Sequence, residues 1–238
     1  MKLCVKEYRH GTLTLMTSDS SPATPTEASA SAATRWENEI VGERWDDYVA
    51  KFQTMFDEGS DLSGEARFVD MMAPRGADLM DAGCGMGRVT AALHAAGHHV
   101  IGVDKDVGLV KIGRERHPEA NLIAHDLLTV SSAVITAAGG PASFDVIAVP
   151  GNVMVFLAPG TEQAVLSNLL VLLKPGGRIV TGFFTTREYT VAEFDDAAKA
   201  VGLTLEHRFA TWHLDPFVAE SEWAVSVLRA PGEASAAC

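Results

Sequence analysis

The chain has little cysteine, and its basic residues are outnumbered by acidic ones. Cys4, Cys84 and Cys238 are too few and too scattered for a disulfide framework, and no Cys-x-x-Cys pair suggests a zinc site. We therefore predict no metal and a reducing, cytoplasmic setting. The 19 Lys and Arg residues against 31 Asp and Glu give a net charge of −12. This balance disfavours nucleic acid or an anionic membrane as the main partner.

Long apolar runs are also missing. No segment is apolar over the length that a membrane span requires, and the first fifteen residues lack the apolar centre of a secretory signal. Residues 17–34 are rich in Ser, Thr, Ala and Pro and have no large apolar side chain. We predict a disordered N-terminal lead over residues 1–35. Met1 and Met16 are both candidates for the natural start.

What is present is enough apolar sequence, 47% of 238 residues, for one α/β domain. We predict a single domain over 36–238, with N-terminal helices over 36–73 and a core over 74–230. Apolar runs predict strands at 77–80, 100–103, 121–124, 144–149 and 178–184. Helical patterns predict helices at 88–96, 107–116, 129–138, 162–173 and 191–201. Such alternation favours a parallel sheet with helices on both faces.

The tail of the chain follows a different pattern. Two strand-like runs, 203–212 and 222–229, have no helix between them, so we expect them to pair antiparallel. Residues 174–177, Lys-Pro-Gly-Gly, predict a helix stop followed by a turn.

A glycine-rich segment, Asp81-Ala82-Gly83-Cys84-Gly85-Met86-Gly87, joins the first predicted strand to a helix. Glycines let a backbone turn tightly and approach a ligand, so this segment predicts a cofactor-binding corner of an open sheet. A dinucleotide fingerprint reads G-x-G-x-x-G. Here the third glycine comes one residue early and Arg88 takes the last glycine's place, which indicates a different ligand.

Acidic residues end the next two strands. Asp104 closes the second strand, where a carboxylate can accept both hydroxyls of a ribose. Asp126 follows the third strand and can accept from an adenine amine. Pro150, Gly151 and Asn152 follow the fourth. The carboxyl ends of parallel strands meet at one edge of the sheet, so we expect these residues around one ligand.

Together these segments resemble the class I S-adenosylmethionine-dependent methyltransferases. The similarity covers roughly residues 65–229 and is greatest to bacterial small-molecule enzymes of the ubiquinone/menaquinone methyltransferase-like group. It is carried by DAGCGMGR (81–88), VIGVDKD (100–106), AHDL (124–127), FDVIAVPGNVMVFL (144–157) and LKPGGRIVTGF (173–183).

The resemblance implies a Rossmann-like, doubly wound α/β sheet of seven strands, in the order 3-2-1-4-5-7-6 with strand 7 antiparallel, under N-terminal lid helices. It implies S-adenosylmethionine as cofactor. Asp81 would orient the glycine loop or the cofactor's amino group, Asp104 would bind the ribose, and Lys105 would flank the adenine. The implied cofactor-binding residues are Asp81, Gly83, Cys84, Gly85, Gly87, Asp104, Lys105, Asp126, Leu127, Pro150 and Asn152.

The predicted function is methyl transfer to a small-molecule acceptor by in-line displacement. Positioning dominates such a reaction, so no general base is required unless the acceptor must lose a proton. His213, in the loop between the last two strands, is the candidate base, with a surface histidine as the alternative. The candidate substrate contacts are Trp45, Tyr48, Asn152, Trp212 and His213.

Residues 149–152 read Val-Pro-Gly-Asn, where methyltransferases of nucleic-acid bases or glutamine have an Asn/Asp-Pro-Pro-Tyr/Phe run. This difference disfavours those acceptors. Two alternative functions stay open: an NAD-dependent oxidoreductase, and a non-catalytic S-adenosylmethionine-binding module. We expect a monomer or a homodimer.

Overall fold

The structure is a computed structural model that describes residues 32–232. Most of the predicted disordered lead, with Met1 and Met16, lies outside the described residues. The first helix begins at Arg35, one residue before the predicted start of the domain. The helices are α1 (Arg35–Glu39), α2 (Glu43–Asp57), α3 (Gly64–Met72), α4 (Arg88–Ala95), α5 (Val107–Arg116), α6 (Ser132–Ala137), α7 (Val153–Phe156), α8 (Glu162–Leu172) and α9 (Val191–Ala200).

The strands form one seven-stranded sheet in the order β3-β2-β1-β4-β5-β7-β6. They are β1 (Asp78–Ala82), β2 (His99–Asp104), β3 (Asn121–Ala124), β4 (Phe144–Val149), β5 (Leu173–Phe184), β6 (Thr204–Phe209) and β7 (Trp223–Arg229). The first five strands are parallel, whereas β7 runs antiparallel to β5 and β6. The predicted fold class is therefore confirmed, including the reversal in the tail.

The core lies on both faces of the sheet. On one face, Ile147 and Phe183 pack with the α8 residue Leu166. On the other, Leu79 and Val180 pack with Phe68 of α3. Central strands covered on both faces are apolar almost throughout, which is why they were visible as short runs in the sequence.

The predicted helix stop before residues 174–177 is confirmed, since α8 ends at Leu172, but these residues form a bulge inside β5 (Leu173–Phe184) and not a turn that precedes the strand. Leu173 pairs with Phe144, and the β4–β5 register shifts just beyond that pair. Gly176 has a φ of 69°, yet its N–H donates to Pro231 O and its carbonyl accepts from Arg229 Nη1 at 2.7 Å. Four residues of β5 thus stand opposite the single residue Asp145 of β4, and Arg229 and Pro231 hold the resulting bulge.

Two helix predictions also need correction. The helical pattern that begins at Trp36, and that the sequence showed as continuous up to residue 60, is divided into α1 and α2, since Gly42 has a φ of 57° just before α2. The helix predicted from 129 begins only at Ser132, where the Ser131 side chain accepts from Val134 N–H. The segment before it turns instead, because Asp126 Oδ1 accepts from Leu128 N–H at 2.8 Å. Among the residues from 32 to 232, no helix combines the length and apolarity needed to cross a membrane.

Candidate active site

A cavity of about 370 Å³ opens at the carboxyl edge of the sheet, under the N-terminal helices. Most of the residues predicted from the glycine loop and the strand ends line it. They are Asp81, Gly83, Cys84, Gly85, Asp104, Lys105, Asp126, Leu127, Pro150 and Asn152, joined by Tyr48 of α2. The parallel strands thus bring residues that are far apart in the sequence to one place.

The glycine loop gets its shape from glycine itself. Gly83 has a φ of 79° and Gly85 a φ of 52°, a region that residues with a Cβ rarely adopt. A Cβ on Gly83 would lie 2.2 Å from Val153 Cγ2. The Gly83 and Cys84 N–H groups donate to Val103 O at 2.7 and 3.1 Å. The loop is therefore tied to β2 and packed tightly against the start of α7.

Asp81 is fully buried at the end of β1, and only one of its carboxylate oxygens is used within the protein. Oδ2 accepts from Thr90 N–H at 3.0 Å and Thr90 Oγ1 at 2.7 Å. Oδ1 is buried without a hydrogen-bond partner in the described chain. Burial raises the pKa of Asp81 to about 6. A buried acceptor without a donor is costly, so this oxygen suits a ligand that donates, such as an ammonium group.

Asp104, at the end of β2, both shapes the glycine loop and lines the cavity. Its Oδ2 accepts from Gly85 N–H and its Oδ1 from Asp106 N–H, both at 2.8 Å. Burial raises the pKa of this carboxyl to about 6. Each carboxylate oxygen has more than one lone pair, so Asp104 can still accept ribose hydroxyls.

Lys105 links helix α1 to the edge of the sheet. Its Nζ donates to Glu37 Oε2 at 2.8 Å and lies 3.3 Å from Asp126 Oδ2. Asp126 thus contributes to an ion-pair chain as well as to the cavity wall, next to the buried Leu127.

The Cys84 thiol and the Tyr48 phenol line the cavity in protonated form. Burial raises the pKa of Cys84 well above its ordinary value, so the thiolate that a nucleophile needs is disfavoured. Burial also raises the pKa of Tyr48 to about 12, with the Asp104 charge adding to the effect. Tyr48 packs edge-on against Trp36 with ring centroids 5.0 Å apart.

Four predicted residues lie outside the cavity lining. Gly87 begins α4 and packs on β3, since a Cβ there would lie 2.7 Å from Leu122 Cδ1. Trp45 turns its indole N–H to Asp106 Oδ2 at 2.7 Å. The structure places Gly87 and Trp45 in packing positions and gives no support to their predicted ligand contacts.

The two predicted residues of the β6–β7 loop lie elsewhere as well. Trp212 packs over Gly182 and edge-on against Phe68, with ring centroids 5.5 Å apart. His213 is exposed, and its backbone N–H donates to Thr211 Oγ1. The structure therefore gives no support to substrate contact by Trp212 or to a catalytic role for His213, because this loop folds back onto α3 and β5.

Sequence reasoning missed several cavity residues. Arg88 donates to Glu65 Oε2 and to Leu62 O, each at 2.8 Å, and both Arg88 and Glu65 line the cavity. The sequence showed Arg88 only as a departure from a glycine pattern. Trp223 was missed because its strand was considered only for pairing. Its antiparallel direction, which was predicted, puts the start of β7 at the cavity edge. Four more aromatic residues line the cavity beside Tyr48 and Trp223: Trp36, Phe52, Phe56 and Phe156.

Comparison with known proteins agrees with this geometry. A family model described as a methyltransferase domain matches residues 79–177. The crystal structure of a TehB-like S-adenosylmethionine-dependent methyltransferase from Corynebacterium glutamicum is 38% identical, covers 77% of this chain and 96% of that one, and superposes with a TM-score of 0.70. This chain belongs to the class I S-adenosylmethionine-dependent methyltransferases. The predicted family and the predicted cofactor are thereby confirmed.

Two further relatives of this methyltransferase are more distant. A demethylmenaquinone methyltransferase from Clavibacter sepedonicus is 31% identical over 135 residues, which are 56% of this chain and 52% of the relative. This chain thus spans about half the length of that curated relative. The CcbJ methyltransferase from Streptomyces caelestis is 21% identical, covers 70% of this chain and 94% of that one, and has a TM-score of 0.61. It shares the fold.

Proposed function

We propose that this methyltransferase transfers a methyl group from S-adenosylmethionine to a small-molecule acceptor. The observation that carries the proposal is the unpaired, buried Oδ1 of Asp81 next to a glycine loop whose shape Asp104 fixes. When bound, the cofactor supplies a methyl group already activated by a positively charged sulfur. The protein's part is to bind and orient this cofactor. Asp81, the glycine-loop backbone and Asp104 are the groups that we assign to its amino group, its methionine part and its ribose.

Each part of the cavity has a proposed role. Asp81 Oδ1 accepts from the cofactor's amino group, and Gly83 and Gly85 let the backbone approach its methionine part. Asp104 accepts from the ribose. Asp126 and Leu127 border the adenine. The segment 150–152 borders the acceptor and the methyl group that moves.

Positioning supplies the catalysis in this proposal. Among the described residues that line the cavity there is no histidine, and burial keeps the Cys84 thiol and the Tyr48 phenol protonated. A reaction that needs only in-line approach in a dry site fits these residues, since orientation alone can contribute roughly 7–11 kcal/mol.

A small acceptor suits the size and charge of the site. The cavity of about 370 Å³ is covered by α1 and α2, and the chain's net charge of −12 disfavours a phosphate backbone. The single domain over 36–238, the cytoplasmic location and the monomer or homodimer stay predictions. Demethylmenaquinone is named for the Clavibacter relative and defines the kind of metabolite to test first.

Calorimetric titration with S-adenosylhomocysteine tests the cofactor. We expect saturable binding, and Asp104→Ala should weaken it at least tenfold, because the ribose and the Gly85 N–H lose a charged acceptor. Asp47→Ala, at an exposed position on α2, is the matched control and should leave the affinity unchanged. Binding of NADH in place of S-adenosylhomocysteine would favour the oxidoreductase instead.

Product analysis separates an enzyme from a binding module. Incubation with S-adenosylmethionine and a panel of small metabolites should release S-adenosylhomocysteine in step with a methylated product. Tight cofactor binding with no turnover on any acceptor would favour the non-catalytic module.

A further inference from the structure

Two residues that line the cavity, Trp223 and Asn152, both contact Phe184 of β5 and carry neutral hydrogen-bond donors. The first is the indole of Trp223, the residue that begins β7 and lines the cavity. Its Nε1 is buried and has no acceptor in the part of the chain that the structure describes. The ring is fixed by Phe184, its cross-strand partner, at 4.7 Å between centroids and an interplanar angle of 87°. A rigid, buried donor without a partner is costly unless a ligand supplies the acceptor.

The second donor is the side-chain amide of Asn152, which also lines the cavity. Asn152 has a φ of 70°, and its backbone N–H donates to Gly182 O at 3.0 Å. Its Oδ1 accepts from Phe184 N–H at 2.8 Å. That contact determines which end of the amide faces the strand, so Nδ2 faces away from it. No residue between 32 and 232 accepts from Nδ2. Phe184 therefore anchors both donors.

The charges around the cavity decide what kind of acceptor atom these donors fit. Arg88 is paired with Glu65, and Lys105 bridges Glu37 and Asp126. The two donors, Trp223 Nε1 and Asn152 Nδ2, carry no charge themselves. Lys51 of α2 is the third cation of the lining, and this residue is exposed. A carboxylate ligand would enter a site lined by four acids, Asp81, Asp104, Asp126 and Glu65, against these three cations, so a neutral oxygen is favoured.

The walls of the cavity indicate the rest of the ligand. Trp36, Tyr48, Phe52, Phe156 and Trp223 all line it. Aromatic walls with a few directed polar groups suit a flat, conjugated molecule, whose faces pack on rings while one polar edge is read by hydrogen bonds.

We propose that Trp223 Nε1 and Asn152 Nδ2 together bind a neutral carbonyl oxygen of a flat conjugated methyl acceptor and thereby select and orient it. This inference rests on the proposed function, because it assigns the acceptor half of the same cavity. Trp223 is then a specificity-determining residue.

The test uses the full chain saturated with S-adenosylhomocysteine and three probes of similar size: chromone, which has a neutral carbonyl, naphthalene, which has no oxygen, and 2-naphthoate, which is anionic. We expect chromone to bind most tightly and to move the Trp223 indole N–H resonance in a ¹⁵N-correlated spectrum. Trp223→Phe identifies that resonance by its loss, and it should weaken chromone binding about fivefold while leaving naphthalene unaffected.

Asn152→Asp retains the oxygen that accepts from Phe184 N–H and replaces the donor with an anion, so it should weaken chromone binding further than Trp223→Phe does. Equal chromone affinity in wild type and Trp223→Phe would overturn the inference, as would tighter binding of 2-naphthoate. S-adenosylhomocysteine affinity is measured in every variant. Intact cofactor binding with no preference for chromone sinks this inference alone, whereas no cofactor binding by the wild type sinks the proposed function and the inference with it.

Discussion

Asp81 and Asp104 lie at the ends of neighbouring strands and line the cavity, Asp81 fully buried and Asp104 half-buried, yet the protein uses their carboxylates differently. Asp104 accepts a backbone N–H on each oxygen, whereas Asp81 has one oxygen with no partner in the described range. The sequence marked both positions, because each acid follows an apolar strand. It could not show which oxygen was left for a ligand, since the Thr90 contacts to Asp81 depend on how α4 packs.

The two raised pKa values, each about 6, predict that cofactor affinity depends on pH. Above pH 7 both carboxyls are ionised in the ligand-free protein and can accept from the ligand. Below about 6 they protonate, and binding must then release those protons. We expect S-adenosylhomocysteine affinity to fall by up to about tenfold per pH unit for each carboxyl as the pH drops from 6 to 5. Calorimetry from pH 5 to 8 measures this dependence.

Adenosine and Asp81→Asn separate the two groups in that experiment. Adenosine lacks the homocysteine part and with it the α-amino group assigned to Asp81, so its affinity should follow Asp104 alone and change less steeply with pH. Asp81→Asn should bind S-adenosylhomocysteine weakly at pH 7.5 and retain the shallower dependence. If the affinity for S-adenosylhomocysteine were constant between pH 5 and 7, neither Asp81 nor Asp104 would bind the ligand as an ionised carboxylate.

At the scale of elements, the loop between β1 and α4 needs glycine for two separate reasons. Gly83 has a positive φ, and it also leaves room for the Val153 side chain of α7. The glycine spacing predicted the turn from the sequence. The neighbour from α7, seventy residues further along, was not predictable, because no local pattern indicates which helix packs there.

Substitution can separate those two reasons. Gly139 has the same φ of 79° with nothing within 4 Å of an added Cβ. Gly139→Ala should therefore cost only the backbone strain, about 1 kcal/mol in the free energy of unfolding. Gly83→Ala should cost about 3 kcal/mol, because Val153 must also move, and should greatly weaken S-adenosylhomocysteine binding. Urea denaturation and calorimetry measure both effects; equal costs at the two positions would show that the Val153 contact is unimportant.

At the scale of the whole molecule, the N-terminal helices are attached to the sheet domain through an apolar cluster, in which Val49 packs with Met86 and Leu109, and through a few polar contacts. Asp106 Oδ2 accepts from the indoles of Trp36 at 2.9 Å and Trp45 at 2.7 Å, while its Oδ1 accepts from Leu109 N–H at the start of α5. Arg35 adds an ion pair to Glu162 at 3.1 Å. Together with the apolar cluster, these contacts hold α1 and α2 over the cavity.

Replacing one oxygen of Asp106 should loosen that cover. Asp106→Asn can still cap α5 through Oδ1, but it presents an amide donor to two indole donors. We expect a loss of about 2 kcal/mol in stability, faster amide exchange in α1 and α2, and weaker cofactor binding. Hydrogen exchange measured by mass spectrometry resolves the helices, with exposed Asp47→Asn as the control. Unchanged exchange in α1 and α2 would mean that other contacts secure the cover.

Strands were predicted from the sequence more accurately than the segments that connect them. Strands such as β3 and β4 were predicted with their observed bounds, since buried parallel strands are continuous apolar runs bounded by polar turns. The segment 174–177 was predicted as a turn before the strand, but it is a bulge inside β5, where Gly176 keeps a positive φ. Its contacts to Arg229 and Pro231, more than fifty positions away, are not visible in a local pattern.

The sequence by itself determined the layered α/β fold, the strand order through the family resemblance, and the acids and glycines at the sheet edge, because these follow from local periodicity and chain direction. Only the tertiary structure decided which of the predicted residues reach the cavity: it kept Asp81, Asp104 and Asn152, moved Trp212 and His213 away, and added Arg88 and Trp223. The physical reason is that a side chain's surroundings depend on how distant elements pack, and residues close in the sequence do not determine that packing.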